Sequence, residues 1–141
     1  MPYRGFEDLD VWKRSKKLAV DIYAAFRSSN DWGLKNQITR SAVSVLSNIA
    51  EGHERGTTKE FIRFLYIAKG STAELRTQLS IASEVGEINA ETVTRLIDEA
   101  RQINAMLQSL IRSTETRAGE EAAGYELLDF VSEARKLATE N

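Results

Sequence analysis

Residues 57–86, TTKEFIRFLYIAKGSTAELRTQLSIASEVG, decide the fold. Phe61, Phe64, Leu65, Ala68, Thr72, Leu75, Leu79 and Ala82 recur at steps of three and four, which lines one face of a helix and is not the two-residue alternation of a strand. Thr57 and Glu60 have capping-box spacing, so each can satisfy a free backbone amide of the other. Gly86 is the natural stop. A helix of about 28 residues reaches roughly 42 Å.

The same period extends to both sides. Upstream, from Trp32 or Gly33 to Glu54, the stripe is Leu34, Ile38, Ser41, Ala42, Val45 and Ile49, widened by Leu46 and Ala50. Gly52, His53 and Gly56 bracket its end, where the two glycines read as a helix terminator and a turn. Earlier still, Leu9 to Ser28 carries Val11, Trp12, Ser15, Leu18, Ala19, Ile22, Tyr23 and Phe26, with Asp8 as the expected N-cap. Ser28 to Asp31 reads as the loop that follows. Downstream, Asn89 caps a fourth segment bearing Val93, Leu96, Ile97, Ala100, Ile103, Leu107, Leu110 and Ile111. The only proline is Pro2, and connections of a few residues force neighbouring helices to run antiparallel. The predicted fold is all-α, an antiparallel up-down-up-down four-helix bundle over residues 1–114. Residues 114–119 should fray the fourth helix, and Tyr125, Leu127, Leu128, Val131, Ala134, Leu137 and Ala138 predict a short C-terminal fifth helix within a partly helical acidic tail, 115–141.

A chain of 141 residues with 42% hydrophobic and 28% charged residues fits one globular domain. No apolar run approaches the roughly 18 residues of a membrane span, and Met1 to Gly5 lacks the apolar stretch of a leader, so the expected address is cytoplasmic with no membrane partner. There are no cysteines, which excludes disulfides and thiolate chemistry. The net charge of −2 hides an asymmetry. Residues 115–141 hold seven acids and three bases, whereas residues 1–76 hold 13 bases and 9 acids.

Most enzyme chemistry needs residues that this chain barely has. His53 is the single histidine, and beside Glu51 and Glu54 at a helix end it reads as a solvated side chain. A di-iron bundle would need two Glu-x-x-His pairs, and none exists. Gly52 to Gly56 lacks the Gly-Lys-Ser/Thr and preceding strand of a phosphate loop. Glu51, Glu74 and His53 in a shared cleft would be a generic set. The reading is therefore non-enzymatic, with no catalytic residues, metal site, cofactor or small-molecule substrate.

Three features exceed what a core requires. Arg40, Ser44, Ser47 and Glu51 make a polar strip with Asn48 between it and the apolar stripe. The strip is either an exposed face with its own hydrogen-bond network or a subunit interface fixed by polar groups. Lys59, Arg63, Tyr66, Lys69 and Arg76 recur along one helical side, and Lys13, Arg14, Lys16 and Lys17 add charge on the first helix, an arrangement able to follow a phosphate backbone and stack a base. Charged residues on a helix are more often its wet face. Gly70, followed by Ser71, sits mid-helix at a cost of about 1 kcal/mol against alanine. Close approach of another backbone, from the same bundle or another subunit, would offset that cost.

The run from Arg40 to Gly52, with Arg55 and then Glu60 to Leu75, resembles the four helix bundle proteins related to the intervening-sequence proteins of bacterial 23S rRNA genes. Phe6 to Trp12 resembles the same family's entry motif, and the likeness covers nearly all of residues 5–113. The resemblance implies a four-helix protomer and, as in characterised relatives, a ring of five. It also links the chain to the accessory variability proteins of diversity-generating retroelements, similar pentamers with a basic surface that work with a reverse transcriptase and RNA. It implies no catalytic residue. The expected partners are other copies of the chain, as a homopentamer, and RNA or a ribonucleoprotein, with Lys13, Lys17, Lys59, Arg63, Tyr66, Lys69 and Arg76 as the contact residues. Arg40, Asn48, Glu51, Gly70, Ser71 and Glu74 are the expected subunit-interface or structural polar positions. The alternative is a protein–protein interaction module with no nucleic-acid role, docking through the acidic tail.

Overall fold

The computed structural model describes residues 5–140, so the readings made on Met1 to Arg4 and on Asn141 lie outside it. A 3-10 turn at Phe6–Asp8 leads into α1 (Asp10–Ala25), α2 (Trp32–Glu54), α3 (Thr58–Glu84) and α4 (Ala90–Glu140). Each helix packs on its chain neighbours, α4 closes back on α1, and the backbones of the diagonal pairs stay apart, which is the up-down-up-down bundle. Ile22 and Phe26, Ile38 and Ile49, Leu65, Leu75 and Leu79, and Leu96, Ile103, Leu107 and Ile111 are all fully buried in one core. Each such side chain stabilises the fold by about 1.5–3 kcal/mol relative to exposure.

The helix starts follow their sequence signals with one exception. The Asp31 carboxylate accepts from the Leu34 amide at 3.1 Å, Thr57 Oγ1 from the Glu60 amide at 3.2 Å, and Asn89 Oδ1 from the Thr92 amide at 2.8 Å. The return half of the capping box is not made, because the Glu60 carboxylate accepts instead from Arg63 Nε at 2.8 Å. At α1 the N-cap is Leu9 rather than Asp8, and no side chain caps it. Asp8 is held in the 3-10 turn, whose Phe6 ring packs against Trp12 at 5.4 Å, so an apolar contact anchors this entry. Glycine closes α3: with Gly86 at φ 79°, the Glu87 amide reaches the Ala82 carbonyl at 2.9 Å and the Gly86 amide the Ser83 carbonyl at 3.2 Å, a Schellman motif.

Two expectations are corrected. Gly52 does not terminate α2. It is buried inside the helix, and a Cβ there would lie 2.5 Å from Phe64 Cβ, so glycine is what lets α2 and α3 touch. The tail does not form a separate fifth helix either. α4 continues unbroken through Gly119 and Gly124 to Glu140, neither glycine having positive φ, because a glycine weakens a helix without ending it unless the chain turns left-handed there. Thr114 is the last buried residue, its hydroxyl donating to the Leu110 carbonyl at 2.6 Å, and from 115 to 139 the side chains are exposed except for half-buried Ala118. Those residues project about 37 Å of helix from the bundle. Among the described residues no helix is long and apolar enough to cross a membrane.

Candidate subunit and nucleic-acid interfaces

The antiparallel pairing of α2 and α3 sets the polar strip opposite a matching row. Ser44 Oγ and Ser71 Oγ share a hydrogen bond of 2.8 Å, and Asn48 Nδ2 donates to the Ser44 carbonyl at 2.8 Å and to Ser44 Oγ at 3.0 Å. One turn along, Gln37, Arg40, Ser41, Glu74 and Gln78 line an open groove. Arg40 and Glu74 are exposed in that groove, and among the described residues neither makes an ion pair or hydrogen bond. Gln78 Oε1 is buried and has no partner among the described residues. Ser44, Asn48 and Ser71 thus form the internal network that the strip suggested, while Arg40 and Glu74 are left available. Glu51 is not part of this set, since it pairs with Arg55 at 2.9 Å near the end of α2.

Gly70 stands beside this groove on the outside of α3, and a Cβ built on it would meet nothing within 4 Å. Among the described residues no other helix's backbone approaches it, which removes that explanation for a glycine mid-helix. Ile67, one turn before it on α3, is 39% exposed.

The basic residues divide into two groups. α1 and α3 are diagonal in the bundle, so Lys13 and Lys17 face away from the α3 residues, and Lys17 is paired with Asp21 at 3.3 Å. Arg14 is consumed by the α1/α4 seam. Its guanidinium donates twice to Glu99, at 2.9 and 2.8 Å, and once to Gln102 at 2.6 Å, and the Glu99 hydrogen bond holds it protonated above the ordinary arginine range. On α3, Lys59, Arg63 and Tyr66 run along the outer face, and the Arg63 guanidinium lies 4.6 Å from the Phe64 ring centre. The hydrogen bond from Arg63 holds the Glu60 carboxyl below the usual carboxylate range. Lys69 and Arg76 turn toward α4, where the Lys69 ammonium donates to Gln108 Oε1 and lies 5.9 Å from the Tyr66 ring centre. Arg76 Nε donates to the Thr72 carbonyl at 3.3 Å and lines a second groove with Thr77, Ile81, Ile97 and Arg101.

Arg101, Gln37 and Gln78 were missed by reading each helix alone. Reflecting the chain about its turns finds them. The turn after Glu54 sets Ser44 against Ser71 and therefore Gln37 against Gln78. The turn at Gly86 sets Lys69 against Gln108 and therefore Arg76 against Arg101.

His53 keeps part of the exposure its position suggested, its side chain being 30% exposed with Nδ1 3.8 Å from the Glu54 carboxylate, but it is also packed. Its ring is held edge-on between Phe6 and Phe61, with centroids 6.5 and 5.8 Å away, and Nδ1 is buried without a hydrogen bond among the described residues. Glu51 turns to Arg55, and Glu74 faces the groove beside Arg40, about three turns up α2, so the three do not share a cleft. Among the described residues no cluster of three or more His, Asp or Glu could hold a metal ion.

Residues 7–109 match the family model described as 23S rRNA-intervening sequence protein. A solved structure from Bacteroides thetaiotaomicron, a protein of unknown function from the S23 ribosomal protein family, is similar at 26% identity and a TM-score of 0.69, covering 72% of this chain and 97% of its own. No curated protein matches.

Proposed function

This chain belongs to the 23S rRNA-intervening sequence protein family, and on that premise we propose that it is a non-enzymatic scaffold that assembles as a homopentamer and engages RNA or a ribonucleoprotein. The observation that carries the assembly is the α2/α3 face. An open glycine with the exposed Ile67 one turn away, an arginine and a glutamate in one groove that are unpaired among the described residues, and a buried glutamine oxygen with no described donor lie along it. A second copy supplies what each lacks: a backbone against Gly70, cover for Ile67, and polar partners for Arg40, Glu74 and Gln78. The number five is what the family resemblance implies. RNA contact is assigned to Lys59, Arg63, Tyr66, Lys69 and Arg76, extended by Arg101 across the α3/α4 groove.

Light scattering of the full chain should give the mass of five copies, and Gly70→Arg, which places a long charged side chain on the open face, should lower it while leaving helicity intact. A monomeric wild type would refute the assembly. RNA affinity measured across a salt series should fall steeply, and the triple variant Lys59→Glu, Arg63→Glu, Lys69→Glu should flatten the slope by about two log units per log unit of salt, at roughly 0.7 per phosphate contact on a single strand. Absence of binding at low salt, with the mass intact, would leave the second reading, a protein–protein interaction module. The acidic extension with exposed apolar residues favours that reading.

A further inference from the structure

The part of α4 beyond Thr114 lies outside the family match, and its described side chains are exposed except for half-buried Ala118. Composition alone would make it a solvated helix, but its apolar residues are not scattered. Gly124, Leu127, Val131, Ala134 and Ala138 recur at alternating steps of three and four, the seam of a coiled coil. Phe130 and Leu137 flank the seam on one side and Leu128 on the other. Leu127, Leu128, Phe130 and Leu137 are 63–70% exposed, an apolar face wide enough for a whole helix to cover.

We infer that this face pairs with the same helix of a second copy, antiparallel, with the twofold axis near Asp129. Charge order selects the direction. Glu120, Glu121, Glu126 and Asp129 fall between 120 and 129, and the bases of 120–138, Arg135 and Lys136, fall after them, with Glu133 the one acid among them. Antiparallel overlay brings Glu121 beside the second copy's Arg135, and the symmetry makes that pair twice, whereas parallel overlay sets Glu121 against Thr116 and Arg135 against Phe130 and leaves both without a charged partner. Size selects the register. Centred on Asp129, Leu127 meets the second copy's Val131, and Gly124 meets its Ala134, so two small residues coincide at the ends of the contact. This gives Gly124 a reason, because nothing in its own chain lies within 4 Å of where its Cβ would be. Close approach of a helix is what a glycine at a seam permits.

The bundle leaves room for this arrangement. The overlap runs from about 120 to 138, roughly 28 Å, and begins about six residues beyond Thr114, so the two bundles sit at opposite ends and do not collide. The contact does not depend on the α2/α3 assembly. A chain that uses both has two interfaces on separate parts of the molecule and links one assembly to another through its tails.

Because the chain has no cysteine, single-cysteine variants of the full-length protein read the pairing cleanly. Leu128→Cys lies close to the twofold axis and should give covalent dimers with a short bismaleimide in high yield. Leu137→Cys lies about 24 Å from its symmetry mate along the axis and should give less than a tenth of that yield alone, but should cross-link when mixed with Ala123→Cys. Glu121→Arg in the Leu128→Cys background should cut the yield several-fold, and adding Arg135→Glu to the same chain should restore it. Equal cross-linking of Leu128→Cys and Leu137→Cys would mean a parallel arrangement and overturn the inference. So would no cross-linking of either variant while far-UV circular dichroism is unchanged. Repeating the Leu128→Cys reaction in the Gly70→Arg chain separates the two interfaces, since survival of the cross-link shows that the tails pair without help from the bundle face, and its loss shows that they do not.

Discussion

Gly52→Ala is the substitution whose outcome is fixed most closely by the geometry. The new methyl would sit 2.5 Å from Phe64 Cβ and 3.4 Å from both the carbonyl oxygen and Cδ1 of Phe61. Carbon atoms in good contact lie about 3.5–4.0 Å apart, so the two helices must separate by about 1 Å at this point. No rotamer change relieves the clash, because both atoms are Cβ positions fixed to backbone. Separation would loosen the adjoining Ile49 and Leu65 layer, both fully buried. Overpacking of this kind costs about 1–3 kcal/mol, and alanine recovers about 1 kcal/mol of helix propensity, so crowding has to exceed propensity to decide the sign. We expect a net loss of about 1–2 kcal/mol, read as a lower urea midpoint and a Tm reduced by about 3–8 °C. The comparison belongs at a single protein concentration, because an assembling chain gains stability by mass action. Gly119→Ala is the control: nothing lies within 4 Å of its Cβ position, and the bundle midpoint should not move. A Gly52→Ala chain as stable as wild type, or more so, would refute the reading of this glycine as the point where α2 and α3 touch.

Thr57→Ala removes the oxygen that accepts from the Glu60 amide and should cost about 1 kcal/mol in urea unfolding, with Thr57→Ser recovering most of it. Arg63→Ala should let the Glu60 carboxyl rise toward its ordinary range, followed by its NMR chemical shift against pH. A carboxyl held low in the folded state adds stability that is present above its unfolded pKa and lost as pH falls through its folded one. Any stability difference between wild type and Arg63→Ala should therefore shrink on acidification, and because the pair is exposed the difference should be small at every pH.

The sequence made the bundle legible because its signals were local. Apolar spacing in α3 and the caps at Thr57 and Asn89 need no knowledge of the rest of the fold. What stayed hidden was set by partners across a seam. Gly52 looked like a terminator because glycine before a turn commonly is one, and only the position of Phe64 shows that the helix continues past it. Arg14 read as free charge until α4 brought Glu99 and Gln102 against it. His53 read as solvated because its sequence neighbours are acids, and it does stay partly exposed beside Glu54, but its packing between Phe6 and Phe61 comes from across the fold. Continuity of α4 was missed for a different reason. Two glycines and a change of composition lower helix propensity, but with no proline and no left-handed turn nothing actually stops the helix.

The helical glycines connect the folded core to the surfaces assigned to assembly. A glycine inside a helix costs about the same wherever it lies, so each one asks what compensates. For Gly52 the answer is inside the chain, in the contact with Phe64. Gly70 and Gly124 have no neighbour within 4 Å and gain nothing from their own fold. Both lie on a face with exposed apolar side chains, Ile67 near one and Leu127, Leu128 and Phe130 near the other, whereas Gly119, equally open, has no large apolar side chain beside it. A glycine tolerated only as surface drift need not coincide with such a face; two that do are the pattern expected where another backbone comes close. That argument treats the two faces separately, and a mass measurement on Gly70→Arg and a cross-linking yield on Leu128→Cys can each fail without the other.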